Sequence, residues 1–312
     1  MKTLYRFLFI LTLLSFVVGG CAQQPQTPAE FRIALLPIME GLPLYVAQEA
    51  GYFKAQGVTV TFIPAGSAAE RDQLVAAGQA DGIINDLVSV VLYNKEDTQI
   101  KVVRFMRTAS ATEPVYRIIG AKDAGIKTAA DLANVPIGIS QASIIDYVTD
   151  RLLKKEGLSA DQIKTVAVPK MQDRMALLGS GELKAATLPE PFSSLAIQQG
   201  GVLIVDDTKY PEYGNSVFSI RKAYIDEHPQ TVKGFLTALD QAVSEINANP
   251  EKWKPLLETN KLIPPAIAPS LTLPQFPSAG VPTKSQFDEV VTWAMDRGLI
   301  KTPVDYANSV QQ

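Results

Sequence analysis

The chain has 312 residues, 29 basic against 32 acidic, with one histidine and one cysteine. Its formal net charge of −3 excludes the basic face that nucleic-acid binding requires, and a lone cysteine excludes an internal disulfide or a thiolate metal site. The length suits two domains of ordinary size.

In chain order, Lys2 and Arg6 precede an apolar run, Phe7 to Val18, broken only by Thr12 and Ser15. The run is too short to span a bilayer as a stable helix and fits the core of a signal peptide. Small residues Val18-Gly19-Gly20 lead into Cys21, in the arrangement of a bacterial lipobox. Residues 1–20 therefore read as a lipoprotein signal peptide and Cys21 as the lipidated residue. Residues 21–30, with several Gln and Pro, read as an extended tether. The expected location is the outer face of a cell membrane, held by the lipid anchor only.

Beyond the tether, short apolar strands alternate with amphipathic helices, the pattern of an α/β fold with mainly parallel sheets. Phe31–Leu36 predicts a strand, followed by a turn into a helix that runs through Gln48 and stops at Gly51. Val58–Ile63 predicts the next strand. Ser67 and Glu70 have capping-box spacing for a helix ending before Gly78, and Gly82–Ile84 predicts a third strand. The same grammar returns later: strand Pro136–Ile139, a helix opened by Ser140–Ser143 and running to Lys155, a capping box at Ser159 and Gln162, strand Thr165–Val168, helix Gln172–Leu178 and strand Ala185–Leu188. Val58–Asn85 and Thr165–Glu190 thus echo one another weakly, which suggests two similar lobes. His228 reads as a helix entry rather than a catalytic base, since no constellation would orient it. Val232, Phe235, Leu236, Leu239, Val243 and Ile246 line one helical face. Ile263–Pro282 holds six prolines and cannot be helical throughout, and Thr283 with Gln286 caps a last helix carrying Phe287, Val290, Val291 and Ala294.

Gly41-Leu42-Pro43-Leu44-Tyr45-Val46-Ala47-Gln48-Glu49-Ala50-Gly51-Tyr52-Phe53 resembles the first helix of ABC-importer solute-binding proteins of the sulfonate, nitrate and thiamine-pyrimidine type. Gly66-Ser67, Gly78-Gln79-Ala80-Asp81, Asp146 to Leu153, Gly179 to Ala186 and Pro189-Glu190-Pro191 continue the resemblance in order, from Phe31 to Asn308. The resemblance implies a two-lobed periplasmic-binding-protein fold of type II: two mainly parallel sheets, flanking helices and a linker of two segments. Residues 31–111 plus 216–312 would form lobe one and 112–215 lobe two, with crossings near 112–118 and 213–218. It further implies a monomer that carries a small-molecule ligand to ABC permease and ATPase subunits, without cofactor or metal. Pyrimidine synthases of this fold use a histidine and a cysteine-rich segment that this chain lacks. Nor has it a Gly-x-Ser-x-Gly elbow or a phosphate-binding loop, so neither enzyme nor ATPase is expected.

In open α/β sheets ligands bind outside the carboxyl ends of strands. The residues so placed are Met39, Glu40, Gly41, Gly66, Ser67, Asn85, Asp86, Ser140, Gln141, Ser143, Glu190 and Phe192, with Tyr147 one turn into its helix. Tyr45 and Phe218 join Tyr147 and Phe192 as candidates for stacking on a ring. These loops carry Glu40, Asp86 and Glu190 against Lys170 alone, an acidic balance that argues for a neutral or cationic heteroaromatic such as riboflavin or a thiamine-precursor pyrimidine. The alternatives are a sulfonate, nitrate or amino-acid carrier, or a sensory lipoprotein of the same fold.

Overall fold

The computed structural model describes residues 30–311; the expected signal peptide, Cys21 and the expected tether up to Ala29 lie outside the described residues. The first sheet is built from β1 (Glu30–Leu35), β2 (Thr59–Pro64), β3 (Gly82–Asn85) and β4 (Ile100–Thr108), interleaved with helices α1 (Leu42–Glu49), α2 (Ala68–Ala76) and α3 (Leu87–Tyr93). The second takes β5 (Tyr116–Gly120), β6 (Pro136–Ile139), β7 (Lys164–Ala167), β8 (Ala185–Pro189) and β9 (Val202–Asp206), with α4 (Ile144–Lys155), α5 (Met171–Ser180) and α6 (Phe192–Gln198). The chain then returns with β10 (Asn215–Arg221), α7 (Pro229–Ala248) and α8 (Lys284–Asp296).

The sheet orders are β2-β1-β3-β10-β4 and β7-β6-β8-β5-β9. In each, one strand runs against its neighbours: β10 against β3 and β4, and β5 against β8 and β9. The other four share a direction, so their carboxyl ends gather on one side of each sheet. The two sheets define two lobes, and the chain passes between them twice, through residues 109–115 and 207–214. Both crossings fall earlier than the residues 112–118 and 213–218 expected from sequence, because Tyr116 and Asn215 already pair in their ladders. Glu30, expected in the tether, pairs with Thr59 at the start of β1.

Local signals acted largely as anticipated. Ser67 caps α2 by accepting from the Glu70 N–H, while the Glu70 carboxylate takes the Gly66 N–H. Thr283 and Gln286 form the reciprocal box at the start of α8. Ser159 and Gln162 bond to each other too, but they close a turn before β7 and no helix follows. His228 stands at the entry of α7 and packs on Tyr224.

Lobe one is filled by an aromatic wedge. Phe31 meets Phe218, Phe235 and Tyr224 at centroid separations of 4.7 to 6.2 Å, each ring contributing about 1.5–3 kcal/mol through burial. Phe218, a stacking candidate, belongs to this core and is fully buried; Tyr45 packs on Phe62. Lobe two is packed by smaller aliphatics, including Ile119, Ala186, Leu188 and Leu178. On the side of α4 the lobes touch through α8: Glu289 accepts from Arg151 at 2.6 Å, Arg297 reaches Asp150 at 3.2 Å, and Trp293 meets Tyr147 edge to face. Among the described residues no helix is long and apolar enough to cross a membrane.

Candidate functional site

The lobes face each other across a cleft whose enclosed part measures about 100 Å³, space for roughly seven to ten water-sized groups. Corresponding strand ends line it from both sides. Leu36 and Ser140 follow β1 and β6, Gly66 and Pro169 follow β2 and β7, Asp86 and Pro189 lie at the ends of β3 and β8, and Ser216 and Tyr116 open β10 and β5. This is where parallel strand direction concentrates strand ends and helix starts, and therefore free backbone N–H groups.

Seven of the thirteen residues named from sequence, Glu40, Gly66, Ser67, Asn85, Asp86, Ser140 and Ser143, line the enclosed part of this cleft. Phe192 lines a separate, more apolar cavity with Pro37, Met175 and Ile263. Met39 and Glu190 line a wider adjoining cavity with Arg107 and Arg117. Three others line none of these cavities. Gly41 packs toward Tyr45 and Leu262, Gln141 is exposed, and Tyr147 is buried behind the cleft, donating its hydroxyl to Glu289. Tyr147 packs edge to face on Tyr213 and Trp293, and this contact with α8 and the second crossing holds its ring away from the strand ends.

The polar groups are tightly arranged. Asp86 caps α3 by accepting from the Ser89 N–H at 2.9 Å, and Asn85 accepts from the Ser219 hydroxyl at 2.7 Å. Burial pushes the Asp86 carboxyl above the usual carboxylate range, against the pull of Arg71 and of that N–H. Burial likewise raises Glu40, with Arg107 at 3.9 Å pulling the other way. Glu190 forms an ion pair with Arg117 and accepts from Ser193 at 2.6 Å. Buried atoms without a protein partner include Glu40 Oε2, Ser216 Oγ and Arg174 Nε, all on residues that line the enclosed cleft. An unmet buried donor or acceptor costs on the order of 1–3 kcal/mol, which a polar ligand in the cleft would recover.

The acidic balance read from the loops does not survive folding. Arg71 and Arg174 line the enclosed cleft from α2 and α5, and Arg107 and Arg117 reach the adjoining cavity from β4 and β5. Glu40, Asp86 and Glu190 each face one of these cations, while Lys170 is exposed at the start of α5. The arginines escaped a reading confined to loops because they sit within helices and strands. A signal existed: laying Val58–Asn85 over Thr165–Glu190 in strand register sets Glu70-Arg71 on Asp173-Arg174. In the structure both arginines hold the carbonyl 13 residues ahead, Arg71 that of Ile84 at 2.9 Å and Arg174 that of Thr187 at 3.0 Å.

The chain is similar to several known proteins. It is 25% identical over 262 residues to a Haemophilus influenzae protein named "Putative thiamine biosynthesis protein", covering 81% of this chain and 79% of that one. It is 21% identical to the formylaminopyrimidine-binding protein of Halalkalibacterium halodurans, over 84% and 82% of the two chains. The alkanesulfonate-binding protein SsuA from Xanthomonas axonopodis pv. citri, solved bound to MOPS, shares the fold with a TM-score of 0.76 at 18% identity, over 91% of this chain and 98% of that one. Residues 39–253 match the NMT1/THI5-like family model, and the chain belongs to that family.

Proposed function

We propose that this protein is the solute-binding subunit of an ABC importer, and that its cargo is a single-ring heteroaromatic of the pyrimidine class. The observation that carries the reading is the enclosed cleft: two lobes present corresponding strand ends to one space, and buried polar atoms of both lobes lack protein partners there. The enclosed part, about 100 Å³, is nearer in size to a single ring than to the three fused rings of a flavin, which favours the pyrimidine over riboflavin. The relatives named for thiamine biosynthesis and formylaminopyrimidine binding support the same choice.

The mechanism is capture by closure. The ligand binds one lobe, contacts from the other stabilise the closed form, and the permease receives the closed protein. No chemistry is required of the chain. Its histidine stands at the entry of α7, away from the cleft-lining residues. Cys21, outside the described residues, would tie the protein to the membrane through lipid. A Cys21→Ala substitution is expected to move the protein from the membrane fraction to the soluble one.

Calorimetry with formylaminopyrimidine, riboflavin, taurine and nitrate tests the assignment. The pyrimidine should bind with micromolar or tighter affinity and return unchanged. Binding of riboflavin with no response to any pyrimidine would overturn the size argument, and turnover of the bound ring would overturn the carrier reading.

A further inference from the structure

The internal echo exposes an asymmetry between the lobes. Arg71 and Arg174 occupy corresponding positions, line the same enclosed cleft and hold corresponding carbonyls of the third strand in their sheet. The residue after Arg71 is Asp72, whose carboxylate lies 2.7 Å from the guanidinium and also meets the Ser89 hydroxyl at 3.5 Å. The residue after Arg174 is Met175. Of the four arginines that reach the cleft, Arg71, Arg107 and Arg117 have carboxylate partners in Asp72, Glu40 and Glu190. Among the described residues Arg174 has none within ion-pair distance. It is 2% exposed, and its Nε lies buried without an acceptor.

A buried guanidinium without a counter-charge is costly unless something supplies one. Burial alone lowers Arg174 to about 10, so it remains protonated at neutral pH. The Thr187 carbonyl occupies one terminal nitrogen and Nε has no protein acceptor, so the Nε edge of the planar fork is the one a bidentate oxyanion would use.

We infer that the site prefers a ring that carries an anionic oxygen group, a carboxylate or its sulfonate counterpart, over a neutral ring, and that Arg174 of lobe two is the residue that sets this preference. The inference rests on the reading of the cleft as a solute site. It divides the site in two: lobe two takes the charge through Arg174, while Glu40, Asn85 and Asp86 of lobe one face the ring and its N–H and O–H groups. A neutral ring alone would leave Arg174 uncompensated in the closed form.

A matched pair of probes tests this: pyrimidine-5-carboxylate and pyrimidine-5-carboxamide, nearly equal in shape and different in charge. The unaltered protein should prefer the carboxylate by at least tenfold in calorimetric Kd. Arg174→Gln should bring the pair to within about twofold, and Arg174→Lys, which keeps the charge and loses the fork, should retain part of the preference. The ratio is the readout, because general damage to lobe two would weaken both probes together, and the Lys variant carries the test if the Gln variant does not fold. Equal affinities for the pair in the unaltered protein, or a preference that survives Arg174→Gln, would overturn the role of Arg174 and leave the carrier reading standing. Failure of both probes, formylaminopyrimidine and taurine to bind would overturn the carrier reading itself.

Discussion

The two lobes are built to one plan and finished differently. Both order their strands alike, both turn strand ends toward the cleft, and both place an arginine on the helix after the second strand. Lobe one closes its arginine with Asp72 and fills its interior with interlocking rings; lobe two leaves its arginine open and fills its interior with Ile, Leu and Ala. The difference teaches that a repeated scaffold leaves its charges free to diverge. Backbone pairing fixes where the cleft lies, and single side chains beside a shared arginine set what each half offers.

The interiors give the largest expected contrast. A Cβ at Gly82 would stand 2.7 Å from Phe31 and 2.9 Å from Phe218, both locked in the aromatic wedge. A Cβ at Gly138 in lobe two would meet the tip of Leu183 at 2.6 Å, a flexible chain that can swing aside. Gly82→Ala should therefore cost about 3 kcal/mol and Gly138→Ala about 1 kcal/mol or less, read by urea unfolding. Equal costs would mean that lobe two is packed as rigidly as lobe one.

The charges come next. Met175→Asp gives lobe two the carboxylate that lobe one already has, and should weaken an anionic ring ligand roughly tenfold, about 1.4 kcal/mol, with little change for a neutral one. An unchanged affinity would break the claimed asymmetry.

A dependence on pH is expected at the crossing that joins the lobes. Asp207 accepts the N–H groups of Val115 and Tyr116 at 2.9 and 3.1 Å, tying one crossing segment to the other. Burial nevertheless pushes its carboxyl up to about 7, against roughly 3.9 in an unfolded chain. Between those values the unfolded state releases its proton and the folded state keeps it. Stability should therefore fall as pH rises from about 4 to about 7 and level off above. Asp207→Asn should flatten that decline in a series of thermal melts; a decline of the same slope would place its origin elsewhere.

Much of the fold was legible because its signals are local. Glycines and capping serines bound strands and helices within a few residues, and the echo between two segments announced two like sheets. The loops of the cleft were legible for the same reason, since strand ends can be named before a fold is known. The charge of the cleft was not. Arg107 and Arg117 belong to strands that begin or end beside the crossings, and Arg71 and Arg174 lie on helices whose first turn bends them back over the strand ends. Only packing sets each against Glu40, Glu190, Ile84 or Thr187. Tyr147 lines none of the cavities because it packs on Trp293 and Tyr213, partners far away in sequence that a local reading could not supply.

The place of β10 has a consequence for how the molecule is made. Every strand of the second sheet lies between Tyr116 and Asp206, whereas the strand joining β3 to β4 arrives only with Asn215–Arg221. As the chain emerges from its amino end, the second sheet is complete while the first still has a gap between β3 and β4. The inserted lobe can therefore finish first, while the lobe that begins the polypeptide has to wait for a strand made much later.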